Sequence, residues 1–172
     1  MHLVCPACGA TVPLLDNLME HHRNDVRLVH KFYPLKKHTR ARPAAYAAVA
    51  AMKQGKYWEM EKIIFENQEA LSDEDLERYA ERIGLDIVRY RVDVSSPATQ
   101  EVVDRDVEAG DTVGVAHTPY ILINGRVFDP AYYKYDRDLE PWVAMEAQLV
   151  RNQHKEGAKK PEDAAAKMPL DK

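Results

Sequence analysis

Roughly seventy consecutive residues, about 42–110, carry helix signals and almost no strand signal, and they lie between two short segments that read as sheet. A helical block of that length set inside a sheet-forming frame points to an α/β fold with an all-helical insertion. Within the block, Pro43 fits the first turn of a helix whose strong formers run over residues 44–54, with Gly55 as its stop. Residues 57–67 make a second helix. Ser72-Asp73-Glu74-Asp75 is a near match to a capping box opening a third, which carries Leu76, Tyr79, Ala80 and Ile83 and closes at Gly84. Residues 86–91 and 97–109 add two pieces, the last ending before Gly110. Tyr46, Tyr57, Trp58, Met60 and Phe65 are expected as the core of this region.

Ahead of the block, residues 6–22 read as a helix bent at Pro13, with Leu15, Leu18 and Met19 as its apolar stripe and Val12 one turn before. Residues 26–33 are rich in β-formers and end at Pro34, which suits a strand. After the block, residues 120–123, Asn124-Gly125 and residues 126–128 form the strongest short-range hairpin signal in the chain. A last helix near residues 139–152 carries Trp142, Met145 and Leu149 at helical spacing. Residues 154–172 are charged, Ala-rich and twice interrupted by proline, and read as a flexible tail or linker.

With 172 residues, 45% of them hydrophobic, one core is expected. Lys and Arg number 24 against 28 Asp and Glu, and the net charge of -4 gives no electrostatic reason to expect nucleic acid or an anionic membrane. The basic stretch at residues 36–42 reads accordingly as a solvated loop. No apolar run approaches the roughly 20 residues that span a bilayer, and Met1-His2-Leu3-Val4 lacks the regions of a secretory signal.

The two cysteines, Cys5 and Cys8, sit three apart, so the pair is chemistry or metal rather than a disulfide scaffold. On the first turn of a helix they can close a disulfide without large distortion, and the first sulfur lies where free backbone N–H groups and the helix dipole favour negative charge. Cys5 is therefore the expected nucleophile and leaving group, and Cys8 the resolving thiol. Thr118-Pro119, directly before the hairpin, is the second component: a cis proline there would expose the preceding backbone to an extended peptide, whereas a trans proline would simply open a strand. His117 beside it would either stabilise a thiolate or face solvent. His21 and His22 belong to a helix end. Tyr132, Tyr133 and Tyr135 would line a peptide groove or cover the surface. A structural zinc site is the rival for the cysteine pair, but it wants four ligands and the sequence has no second cysteine pair.

Cys5-Pro6-Ala7-Cys8, Pro13, and Thr118-Pro119 ahead of Asn124-Gly125 resemble the thioredoxin fold. Phe32-Tyr33-Pro34-Leu35, Ala41-Arg42-Pro43-Ala44-Ala45, Gln54-Gly55-Lys56-Tyr57-Trp58-Glu59-Met60 and Phe65-Glu66-Asn67-Gln68 are similar to the DsbA-like branch, bacterial disulfide oxidoreductases with a helical domain inserted in a thioredoxin core. The resemblance covers residues 5–128 and implies Cys5 as the reactive cysteine, Cys8 as its partner, and Pro119 as a cis-proline facing them, with Thr118 ahead of it. It also implies a periplasmic or other extracytoplasmic location. Two features depart from the branch: the strand before the motif is reduced to His2-Leu3-Val4, as a truncated first strand would be, and the dipeptide Pro6-Ala7 lacks the histidine of strongly oxidising members.

The expected organisation is a thioredoxin-like core from residues 1–39 and 113–153, a helical insertion over 40–112 and the tail. The expected function is disulfide exchange with protein or peptide thiols in the direction of oxidation, recycled by a separate redox partner. No cofactor is needed beyond the Cys5–Cys8 disulfide. A reductase or isomerase of the same fold, a zinc-stabilised module and a peptide-binding module are the alternatives.

Overall fold

The computed structural model describes residues 1–159. The expected tail is helical backbone over its described part, 154–159, and the remainder lies outside the described residues. The chain divides into two compact units: Met1–Leu15 with Val29–Tyr120, and Asp16–Leu28 with the described chain from Ile121 onward. Helix α1 (Pro6–His21) contributes to both.

Most of the first unit is helical: α2 (Ala41–Met52), α3 (Tyr57–Glu66), α4 (Asp73–Arg82), α5 (Ile87–Ser95) and α6 (Pro97–Thr112). Helix α2 is the hub, touching each of the other four. Its sequence explains why: alanines and Val49 make most of its circumference apolar, with Arg42 and Tyr46 on the remaining side, so neighbours surround it, and small side chains let them come close. Met60, Ile63 and Ile64 of α3, Leu76, Tyr79 and Ala80 of α4, Tyr90 of α5 and Val103 of α6 close around it. Trp58, expected in this core, is instead half exposed because α3 turns Met60, Ile63 and Ile64 inward and Trp58 lies off that stripe. The capping box of α4 is complete: the Asp75 N–H donates to the Ser72 hydroxyl, and the Ser72 N–H donates back to the Asp75 carboxylate.

Gly110 does not stop its helix, since α6 continues to Thr112. It is a packing glycine: a Cβ there would stand 2.6 Å from the Tyr33 ring. The expected strand over residues 26–33 forms no regular strand. Its extended part is tied to Met1, whose nitrogen donates to the Lys31 carbonyl and whose carbonyl accepts from Tyr33 N–H at 2.8 Å, the bond pattern of a single parallel bridge. The ladder goes no further because the chain turns at Leu3-Val4, and the Phe32 N–H donates to the buried Asp106 carboxylate at 3.0 Å instead.

In the second unit, β1 (Ile121–Ile123) pairs antiparallel with β2 (Arg126–Phe128) in the register Ile121 with Phe128, Leu122 with Val127 and Ile123 with Arg126. The turn places Asn124 at φ 50° and Gly125 at φ 82°, the left-handed pair that a two-residue hairpin with native twist requires. Phe128 is fully buried among the rings of Tyr133, Tyr135 and Trp142, all within 5.5 Å. Helix α7 (Tyr135–Lys159) buries Leu139, Val143 and Glu146, whereas Met145 and Leu149 of the expected stripe are exposed. Glu146 sets this rotation, receiving Arg126 at 2.8 Å and Asn124 at 3.3 Å. His21 and His22 both approach Glu140, at 2.9 and 3.5 Å, and serve a surface ion pair.

Candidate active site

The two cysteines are presented by a turn followed at once by a helix. Cys5 N–H donates to the His2 carbonyl at 3.0 Å, closing the turn over Leu3 and Val4, and Gly9 N–H donates to the Cys5 carbonyl at 3.1 Å as the helix begins. Pro6 at the first helical position gives up no useful donor, because an N–H there would lack an intrahelical acceptor. Pro6 and Ala7 are exposed, so the dipeptide faces solvent.

The two sulfurs have opposite environments. Cys5 is part-exposed, and its Sγ lies 3.6 Å from the Thr118 carbonyl. Partial burial opposes its ionisation, but hydrogen bonding from the Thr118 side chain, from Cys8 and from the Ala7 backbone outweighs it and holds the thiol below its ordinary value. Cys8 is fully buried, and burial above all pushes its thiol up to about 11, despite a hydrogen bond from the His2 backbone. One turn deeper, the buried Thr11 hydroxyl donates to the Cys8 carbonyl at 2.8 Å, which gives that hydroxyl its partner.

The structure brings Cys5 and Thr118 together, and the Thr118–Pro119 peptide is cis. Pro119 is buried and Thr118 half-buried. His117 is exposed, with Nδ1 2.9 Å from the Pro119 carbonyl, so that nitrogen carries a proton; among the described residues it makes no hydrogen bond to either sulfur.

Several groups around the dithiol carry no sequence signal that marks them. His2 is buried, its ring edge-on to His38 at a centroid distance of 4.9 Å, and burial together with His38 pushes it down to about 4. Glu61 is buried and pairs with His30 at 2.6 Å. Gln68 donates to the Leu3 carbonyl at 2.9 Å. Glu61 and Gln68 come from α3 and the loop after it, whereas His2 lies in the short segment just before the cysteines; none of the three was marked by its own residue type. No group of three or more His, Cys, Asp or Glu side chains is placed to hold a metal among the described residues. Nor is any helix long and apolar enough to cross a membrane among them.

A dithiol split between a solvent-facing and a buried sulfur, opening a helix and faced by a Thr-Pro loop, defines the thioredoxin-fold class. The family model described as thioredoxin matches residues 1–140, and the chain belongs to that family. Solved structures of oxidoreductases share its fold. A thioredoxin-like oxidoreductase from Silicibacter pomeroyi superposes with a TM-score of 0.73 at 21% identity, covering 88% of this chain and 83% of its own. DsbA from Xylella fastidiosa gives 0.71 at 18% identity, with coverage of 88% and 83%. Curated relatives include the Na(+)/H(+) antiporter NhaA 3 of Salinispora tropica, 38% identical over 123 residues, which are 71% of this chain and 19% of that protein. The antiporter NhaA 1 of Mycolicibacterium gilvum is 34% identical over 151 residues, 86% of this chain and 22% of its own length. The chain thus spans about a fifth of the length of the curated relatives it matches.

Proposed function

We propose that the chain is a thiol-disulfide oxidoreductase that oxidises protein or peptide dithiols through Cys5 and Cys8. The observation that carries the reading is the contrast between the two sulfurs: Cys5 reachable and held below its ordinary pKa, Cys8 buried and pushed up to about 11. In the disulfide form, a substrate thiolate attacks Cys5, the S–S bond breaks, and Cys8 leaves and takes up a proton to become a thiol. A second substrate thiolate then attacks the substrate sulfur of the mixed disulfide, and Cys5 departs as a stabilised thiolate. Two electrons pass from the substrate dithiol to the pair, and no other cofactor is required. Stabilising the Cys5 thiolate stabilises the reduced protein, which favours oxidation of substrates over their reduction. The exposed Pro6-Ala7 surface and the half-buried Thr118 support docking of an extended peptide beside Cys5. A separate redox protein would reoxidise the pair, in an extracytoplasmic setting.

The antiporter relatives favour a second reading, in which the same dithiol serves as a redox module working with a membrane cation-proton antiporter. Both readings need a working dithiol. In the test, Cys8→Ser captures substrates as mixed disulfides on Cys5, and the wild-type pair is equilibrated with glutathione. Trapped species together with a potential near about -120 mV support the oxidase; a potential near about -270 mV makes it a reductase, and no reversible couple overturns both.

A further inference from the structure

The loop between α3 and α4 reaches the dithiol through one side chain. Gln68 Nε2 donates to the Leu3 carbonyl at 2.9 Å, within the turn that delivers Cys5. The same amide passes near the start of α1: a Cβ added at Gly9 would lie 3.7 Å from Gln68 Oε1 and 3.3 Å from the Phe65 ring. A single half-buried amide therefore bonds the chain two residues before Cys5 and lies beside the residue that follows Cys8. Leu3 is itself buried, so without Gln68 its carbonyl loses a partner where water is scarce.

We infer that Gln68 is a positioning residue of the dithiol, tethering the Leu3-Val4 turn so that the backbone donors of the first turn of α1 stay aimed at the Cys5 sulfur. This rests on the reading of Cys5 and Cys8 as a working dithiol. The turn has two soft torsions per residue and one closing bond, from Cys5 to His2; the bond from Gln68 is the tether from outside it. Freedom in the turn moves Cys5 relative to donors whose strength falls steeply with angle. The absence of a side chain at Gly9 gives the Phe65 ring its room there, since a Cβ would stand 3.3 Å from it.

The test compares Gln68→Ala and Gln68→Glu with Asn67→Ala in the full chain. Gln68→Glu keeps the shape and removes the donor. Asn67 bonds the Ile63 carbonyl at 2.8 Å in the same loop without touching Leu3, so Asn67→Ala reports on loop damage alone. Both Gln68 variants are expected to raise the Cys5 titration midpoint, read from thiolate absorbance, and to move the glutathione equilibrium toward the disulfide by about tenfold, or about 30 mV. Asn67→Ala is expected to lower thermal stability and leave both readings in place. The inference is overturned if the Gln68 variants keep the wild-type midpoint and equilibrium, or if Asn67→Ala shifts them equally. A wild-type pair with no reversible couple would instead sink the functional reading beneath it.

Discussion

Burial of Cys8 has a thermodynamic counterpart that can be measured without any substrate. Its thiol is pushed from an ordinary 9.0 to about 11 in the fold, chiefly by burial, and a shift of about two units corresponds to about 2.7 kcal/mol of preference for the neutral form. Because the folded value is raised, this contribution is fully present below pH 9.0, and it is lost as the pH rises through about 11. The unfolded chain ionises first and gains the stabilisation that the folded chain is denied. The clean comparison is Cys5→Ala against Cys5→Ala/Cys8→Ala, which removes disulfide formation and the titration of Cys5 from both partners. Urea unfolding at a series of pH values from 7 upward should show the stability gap between them constant to about pH 8.5, then moving against the cysteine-containing protein by up to about 2.7 kcal/mol, less the part of the shift that Cys5 itself supplies. Other groups whose ionisation burial opposes, such as Tyr90, are common to both and cancel. A gap that stays flat to the alkaline end would mean that Cys8 is not held neutral by burial, and the division of labour between the two sulfurs would lose its basis.

The same asymmetry should appear in reactivity. At pH 8 a thiol with a pKa of about 11 is ionised in about one molecule in a thousand, so iodoacetamide should modify Cys5 first, with Cys8 at least about a hundredfold slower in the reduced protein by mass spectrometry; comparable rates would refute the assignment. Away from the site, Gly110→Ala should destabilise the fold by about 1–3 kcal/mol in urea, because the new methyl meets the Tyr33 ring and dislodges the bond from its hydroxyl to Asp111. In a Tyr33→Ala background the same change should be neutral or stabilising, since alanine is the better helix former; a neutral effect in the wild-type background would show that Gly110 has no packing role.

Local signals were the legible ones. The capping box at Ser72, the Asn124-Gly125 hairpin and the two-cysteine helix start each depend on contacts within a few residues, so their chemistry is written in order along the chain. Helices α2 to α6 appeared at nearly their expected places for the same reason: alanine-rich and apolar-periodic runs favour helix before any tertiary contact forms. The resemblance to the DsbA-like branch also extended across the segments whose fold the structure carries.

What misled was always a partner from elsewhere. Residues 26–33 have strand composition, but a strand exists only where a second segment supplies a ladder, and here Met1 supplies a single bridge before the chain turns. Gly110 looks like a stop until the Tyr33 ring occupies the space where its side chain would be. The rotation of α7 follows Glu146, drawn in by Arg126 and Asn124, and this exposes the Met145 and Leu149 stripe that periodicity alone would bury.

The sequence by itself determined the identity and spacing of the reacting sulfurs, because three residues on a helical first turn place Cys5 and Cys8 within reach of each other whatever surrounds them. Only the tertiary structure decided how the two would differ. Burial in the fold pushes the Cys8 thiol up, and Cys5 is held below its ordinary value in part by the side chain of Thr118, 113 positions away. Desolvation and through-space hydrogen bonding are properties of the folded interior, and no local pattern encodes them.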